Sequence, residues 1–256
     1  DWEPRLGSET RALAMRRALM AGPIDALPTK VAGVSESVLG PLRASVLLPV
    51  SRVVSTRAAD DGTTKWALEF GDGQSAETVL IPSRTRATVC VSSQSGCTRS
   101  CAFCATATMG FRRNLTAGEI VRQYLIAREA ARLAGMDASN VVFMGMGEPL
   151  DNLDAVLAAV RSLTDVFPGL SPRRVTVSTS GVVPRMKRFL AESRASLALS
   201  LNATTDEVRT RVMPHNKTWP LASIVEVLRE ATAERPRRFF VEYVQLPGAN
   251  DTAPDY

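Results

Sequence analysis

Cys90-Val-Ser-Ser-Gln-Ser-Gly-Cys97-Thr-Arg-Ser-Cys101-Ala-Phe-Cys104 holds every cysteine of the 256-residue chain. Three of the four, Cys97, Cys101 and Cys104, form Cys-x3-Cys-x2-Cys, and no further cysteine exists to complete a four-thiolate site. Iron–sulfur clusters are held by cysteine thiolates, usually four. A cluster with three protein thiolates leaves one iron open to a small-molecule ligand. S-adenosylmethionine bound at such an iron is a source of radicals.

Other readings compete. Structural zinc sites pair two Cys-x2-4-Cys knuckles across a longer spacer, whereas here there is one tight cluster with Cys90 seven residues before Cys97. Core thiols would be scattered along the chain. Disulfides need an oxidising compartment, and Asp1-Trp-Glu-Pro-Arg5 lacks the basic-then-apolar pattern of a secretory signal.

The stretch, with Ala105 to Leu115 after it, closely resembles the radical S-adenosylmethionine RNA methyltransferases that methylate adenine, the RlmN/Cfr family. The resemblance continues through Asn140-Val-Val-Phe-Met-Gly-Met-Gly-Glu-Pro-Leu150, Arg174-Val-Thr-Val-Ser-Thr-Ser-Gly-Val-Val-Pro184 and Leu197-Ala-Leu-Ser-Leu-Asn202. It covers roughly residues 60 to 251, and several long motifs in one order are more specific than any short pattern.

The resemblance implies a 4Fe-4S cluster on Cys97, Cys101 and Cys104. It assigns S-adenosyl-L-methionine to Gly147, Glu148, Ser178, Ser200, Leu201 and Asn202. Glu77 is implied as the base that takes the proton from the target carbon, and Cys90 as the thiol that resolves a protein–RNA crosslink. The implied reaction is methylation of carbon 2 of an adenine in large-subunit (23S) ribosomal RNA and in transfer RNA, with carbon 8 as the alternative. The target base must leave its stack to be reached. The implied partners are RNA and an electron donor such as flavodoxin or ferredoxin, with the enzyme itself a monomer. The family's second, methyl-carrying cysteine near the C-terminus has no counterpart in these 256 residues, so the chain reads as truncated there. A non-catalytic, metal-stabilised RNA-binding module is the rival from a different class.

Composition agrees without deciding. At 45% apolar and 22% charged residues the chain is an ordinary globular protein. A net charge of +5 suits a nucleic-acid partner, as it suits many others. No apolar run is long enough to span a membrane, and the expected location is the cytoplasm.

Around the cysteines the pattern falls into three parts. Residues 1–44 read as a helical accessory region, with a helix over 8–22 and then turns and short pieces around Pro28, Gly33, Gly40 and Pro41. Residues 45–85 read as a small antiparallel β-unit ahead of the main domain, punctuated by Asp61-Gly62 and Gly71-Asp72-Gly73. Residues 86–256 alternate strand and helix, which implies an α/β fold with a parallel sheet. Its apolar runs fit strands covered on both faces, and an open, partial parallel β/α barrel is the economical architecture. Thr116-Ala-Gly-Glu119 is a capping box opening a helix that ends at Gly135. His215, the only histidine, is assigned no chemistry. Arg84, Arg86, Arg99, Arg112, Arg113, Arg173 and Arg174 are expected near the barrel mouth, where they could hold phosphates.

Overall fold

The computed structural model describes residues 3–21, 27–45, 51–166, 170–234 and 238–252. Val46 to Val50, expected at the start of a strand, and Tyr256 lie outside them.

A one-turn helix α1 (Glu3–Leu6), α2 (Glu9–Ala21) and α3 (Glu36–Ser45) form the N-terminal part. They enclose a core of their own, built from Leu6, Ala12, Met15, Val31, Leu39 and Leu42. The sequence reading expected only short pieces where α3 stands, because Gly40 and Pro41 interrupt it. Burial of Leu39 and Leu42 on this core outweighs the one backbone bond that Pro41 cannot donate.

The strands β1 (Ser51–Ala58), β2 (Thr64–Phe70), β3 (Ser75–Ser83) and β4 (Arg86–Cys90) form an antiparallel meander. Turns at Gly62 and Gly73, both at positive φ, join the first three. A short hairpin, β5 (Gln94–Gly96) with β6 (Phe111–Asn114), brackets the cysteine loop. Then follow α4 (Ala117–Leu133), β7 (Asp137–Phe143), α5 (Leu153–Val166), β8 (Val175–Thr179), α6 (Val183–Glu192), β9 (Ser196–Ser200), α7 (Asp206–Val212), α8 (Leu221–Glu234) and β10 (Phe239–Glu242).

One sheet contains eight of these strands, in the order β1-β2-β3-β4-β7-β8-β9-β10. From β4 to β10 all pairings are parallel. The sheet does not close, since β1 and β10 are its two edges. The molecule is thus an α/β fold built on an open, partial parallel barrel. The antiparallel unit is not packed ahead of the barrel, as its composition had suggested. β3 and β4 pair from Val79↔Cys90 to Ser83↔Arg86, and Trp66, Leu68, Phe70 and Leu80 share the main core. The expected boundary at residues 85 and 86 is the turn of that hairpin.

Period-two alternation gives the sheet two unlike faces. Leu68, Leu80, Val89, Val141, Val177 and Leu197 point to one side, under α4, α5, α6 and α8. The alternate residues, including Lys65, Glu77, Cys90, Asn140, Ser178, Ser200 and Glu242, occupy the other. The strands are therefore covered by helices on one face only. The second face is the concave, polar interior of the partial barrel, which the expectation of double coverage had missed.

Candidate active site

The cysteine loop leaves the C-terminal end of β4, where reacting groups gather in parallel β/α barrels. Its entry depends on Gly96, at φ +75°, where a Cβ would lie 1.7 Å from the carbonyl oxygen of Gly110. Within the loop, Cys104 N donates to Cys101 O at 3.1 Å, and Ala102 N donates to Val212 O at 2.9 Å. The second bond ties the loop to the last turn of α7. Asp151 ties it on the other side, accepting from Thr98 Oγ1 at 2.5 Å and pairing with both Arg99 at 2.6 Å and Arg185. The Arg99 guanidinium also lies over Trp219, 5.8 Å from the ring centroid.

Cys97, Cys101 and Cys104 are partly buried, as is Phe103 between two of them. Burial and the neighbouring Cys97 and Cys104 push the Cys101 thiol up to about 12, and burial raises Cys97 as well. Among the described residues no three Cys, His, Asp or Glu side chains are set to hold a single metal ion. The triplet is a donor set in place, not a finished cage. Two observations fit it to a sulfur-rich anionic group. Cys97 Sγ already accepts the Arg99 N–H at 3.3 Å, and the buried Nε–H of Arg99 has no acceptor. Thiolate-only donors suit iron–sulfur clusters.

Glu148, 4% exposed, follows β7 and joins it to β8. Its Oε1 accepts from Leu150 N at 3.0 Å and Thr179 Oγ1 at 2.9 Å. Its Oε2 accepts from Ser180 N at 2.8 Å and Ser180 Oγ at 2.6 Å. The glycines before it make room for the chain itself. A Cβ on Gly145 would lie 2.6 Å from Ser92 Oγ, and one on Gly147, at φ +101°, 2.6 Å from Gln94 Cβ.

On the concave face Cys90 is 9% exposed, and burial, with help from the charge of Glu242, pushes its thiol up to about 11. Val79 is its partner across the β3–β4 pair, and Glu77 lies two residues along the same face of β3. Glu77 is half-exposed and pairs with Lys65 Nζ at 2.9 Å. At the far side, Ser178 Oγ lies 3.2 Å from Ser200 Oγ and donates to Glu242 Oε2 at 2.8 Å. The concave face thus carries Glu77, Cys90, Ser178 and Ser200, with Glu148 and the cysteine loop at the same strand ends.

Leu201 and Asn202 continue from β9, where their polar groups also bond within the chain. Leu201 N donates to Glu242 O at 2.9 Å. Asn202, in the left-handed region at φ 57°, accepts from Val244 N at 2.9 Å and donates to Met213 Sδ at 3.3 Å.

The arginines divide by strand polarity. Arg84 and Arg86 precede or open β4, and Arg173 and Arg174 precede β8, so these four lie at the end of the barrel opposite the cysteines. Arg99, Arg112 and Arg113 remain on the mouth side. Of these, Arg113 is held by Asp72 and Glu119, and Arg99 by Asp151.

Sequence reading missed Glu242 and Arg209. Glu242 ends the fifth parallel strand as Ser178 and Ser200 stand at the ends of theirs, and that shared position was a readable signal. Arg209 gave none. It sits among the polar residues of a short helix, and burial of a guanidinium is decided by tertiary packing.

The family model described as Radical SAM superfamily matches residues 91–255. Over 220 residues the chain is 44% identical to the "Dual-specificity RNA methyltransferase RlmN" of Alkalilimnicola ehrlichii, covering 85% of this chain and 61% of that protein. The chain therefore spans about three-fifths of that curated relative's length. Among solved structures it superposes on a radical SAM methyltransferase from Sphaerobacter thermophilus with a TM-score of 0.79 and 39% identity, over 87% of this chain and 66% of the other. No helix among the described residues is long and apolar enough to cross a membrane. With its cysteine triplet at the mouth of an open parallel barrel and its sequence matched from Val91 onward, the chain belongs to the radical SAM superfamily.

Proposed function

We propose that this chain serves the methylation of carbon 2 of an adenine in RNA, ribosomal and transfer, by radical chemistry. The observation that carries the proposal is the concave polar face. It presents Cys90 and Glu77 toward one side of the barrel and the Ser178–Ser200–Glu242 cluster toward the other, below a loop of three thiols. The ring carbon is not nucleophilic, so polar methyl transfer fails. A cluster on Cys97, Cys101 and Cys104 with one open iron, loaded with S-adenosylmethionine, supplies the radical chemistry.

The residues have separable tasks. Glu148 receives the cofactor's ammonium, exchanging a hydroxyl donor for a charged one, a stronger hydrogen bond. Ser178, Ser200, Leu201, Asn202 and the Gly147 backbone orient the rest of the cofactor. Glu77 takes the proton from the target carbon, and its ion pair with Lys65 Nζ at 2.9 Å fixes where the carboxylate lies. Cys90 is the resolving thiol. Its raised pKa keeps it protonated at neutral pH, which protects it until an acceptor takes its proton. A small electron carrier of the flavodoxin or ferredoxin kind provides the reducing equivalent.

Anaerobic reconstitution with iron and sulfide tests the proposal. About four irons per chain, visible absorbance and 5′-deoxyadenosine on reduction with S-adenosylmethionine are expected. A colourless, zinc-loaded protein that binds RNA would replace the proposal with the metal-stabilised binding module.

A further inference from the structure

Arg209 is fully buried, at 0% exposure, on the inner side of α7. Its donors reach only neutral acceptors: Leu201 O through Nε at 2.9 Å, Asn216 Oδ1 through Nη1 at 2.6 Å, and Ser180 O and Ser200 O through Nη2 at 2.7 and 3.1 Å. Gly181 stands beside it at φ +106°, and the position where a Cβ would be is 3.6 Å from Nη2. Asp206, on the same helix, instead accepts from Leu221 N at 2.8 Å and Asn216 Nδ2 at 2.9 Å.

A buried cation without a carboxylate in contact is expensive unless an opposite charge lies nearby. Asp206 supplies one such charge from the same helix without touching the guanidinium, and the cysteine loop offers a second. Val212, one turn after Arg209, accepts the N–H of Ala102 at 2.9 Å, and Ala102 follows Cys101 directly. The guanidinium therefore sits under the cysteine loop, between it and the ends of β8 and β9. Burial draws its pKa down to about 10, against the charges of Asp206 and, after it, Cys101, so it remains a cation at neutral pH.

We propose that Arg209 is a fixed positive charge that eases reduction of the metal group held by the cysteine triplet, while its hydrogen bonds to Ser180, Ser200 and Leu201 position the β8 and β9 ends. The inference rests on the cluster reading above. A cluster held by three thiolates gains negative charge on reduction. A desolvated cation nearby favours the reduced form, and the low local dielectric makes that effect large. Arg209 acts through the field and touches no reacting atom, so it is a positioning residue, not a catalytic one.

The test compares the reconstituted chain with Arg209→Gln, Arg209→Lys and the exchange Asp206→Asn with Asn216→Asp. Iron and sulfide per chain are measured, and the reduction potential is followed by electron paramagnetic resonance. Arg209→Gln should shift the reduction equilibrium at least tenfold toward the oxidised form, about 59 mV for one electron. Arg209→Lys should restore most of the shift. The exchange leaves net charge and Arg209 intact but sets a carboxylate against the guanidinium, so it should move the potential in the same direction. It decides the matter where Arg209→Gln takes up no iron. An unmoved potential in a fully loaded Arg209→Gln chain, or in the fully loaded exchange, overturns the inference. Failure of the unaltered chain to take up iron and sulfide overturns instead the cluster reading on which it rests.

Discussion

Glu148 and the cysteine loop lie at the same end of the barrel, and they are finished to different degrees. Around Glu148 every strong donor has its acceptor, and both carboxylate oxygens are used twice. The cysteine loop is anchored at its margins, through Gly110, Val212 and Asp151, while its three thiols bear no bond to one another. Arg99 Nε is left without an acceptor beside them. Hydrogen bonds complete the first region within the chain. The second offers donors that only a further group can use. The difference separates a carboxylate already positioned by the fold from thiols whose partner lies outside the chain.

The sharpest way to break this comparison is at the thiols. Changing Cys97, Cys101 or Cys104 to Ala should abolish iron uptake and leave the thermal midpoint of the metal-free chain nearly unchanged. Cys90→Ala should retain the iron. Equal iron loss in the Cys90 variant would mean the ligands are wrongly assigned. Glu148→Ala should do the reverse to the fold. It strands the N–H groups of Leu150 and Ser180 and two hydroxyls in a dry site, so the metal-free chain should lose about 2–4 kcal/mol in chemical denaturation. It should also weaken binding of S-adenosylmethionine, and an unchanged affinity by calorimetry would remove Glu148 from the cofactor site.

A smaller loss is expected at Gly147. Its Ala variant forces a left-handed residue against Gln94, and about 1–3 kcal/mol should disappear from the unfolding free energy. Stability within about 0.5 kcal/mol of the parent, the range of an ordinary surface substitution, would show that the 94 and 147 backbones are not tightly held against each other.

Acid provides the mildest probe. The Arg113 hydrogen bond holds Asp72 at about 2, below its ordinary value. A depressed carboxylate stabilises the fold above its unfolded pKa near 4, and that contribution disappears as pH falls toward 2. Between pH 4 and 2 the thermal midpoint of Asp72→Asn should therefore fall less steeply than that of the parent chain. Parallel curves would show that the exposed Asp72–Arg113 pair adds nothing.

Much of this was legible along the chain because it depends on near neighbours. The capping box is an example: Glu119 N donates to Thr116 Oγ1 at 3.2 Å while Thr116 N donates to Glu119 Oε2 at 2.8 Å, and α4 ends before Gly135. The turns at Gly62 and Gly73, and the alternation of strand and helix after β4, were readable for the same reason. The two faces of each strand were harder. Val141-Val-Phe143 and Leu197-Ala-Leu199 look apolar throughout, since small and aliphatic residues also line the concave side. The polar character of that side becomes visible only when Cys90, Ser178, Ser200 and Glu242 are set in register.

By itself the sequence determined the thiol triplet and the alternation of strand and helix that makes the sheet parallel. These follow from spacing and from the fixed periods of strand and helix. Only the tertiary structure decided that the antiparallel meander extends the barrel sheet, that Arg84, Arg86, Arg173 and Arg174 lie far from the thiols, and that Arg209 is buried beneath them. Sheet membership and burial depend on contacts between residues distant along the chain, such as Ser180, Ser200 and Asn216 around one guanidinium, and no local pattern records such contacts.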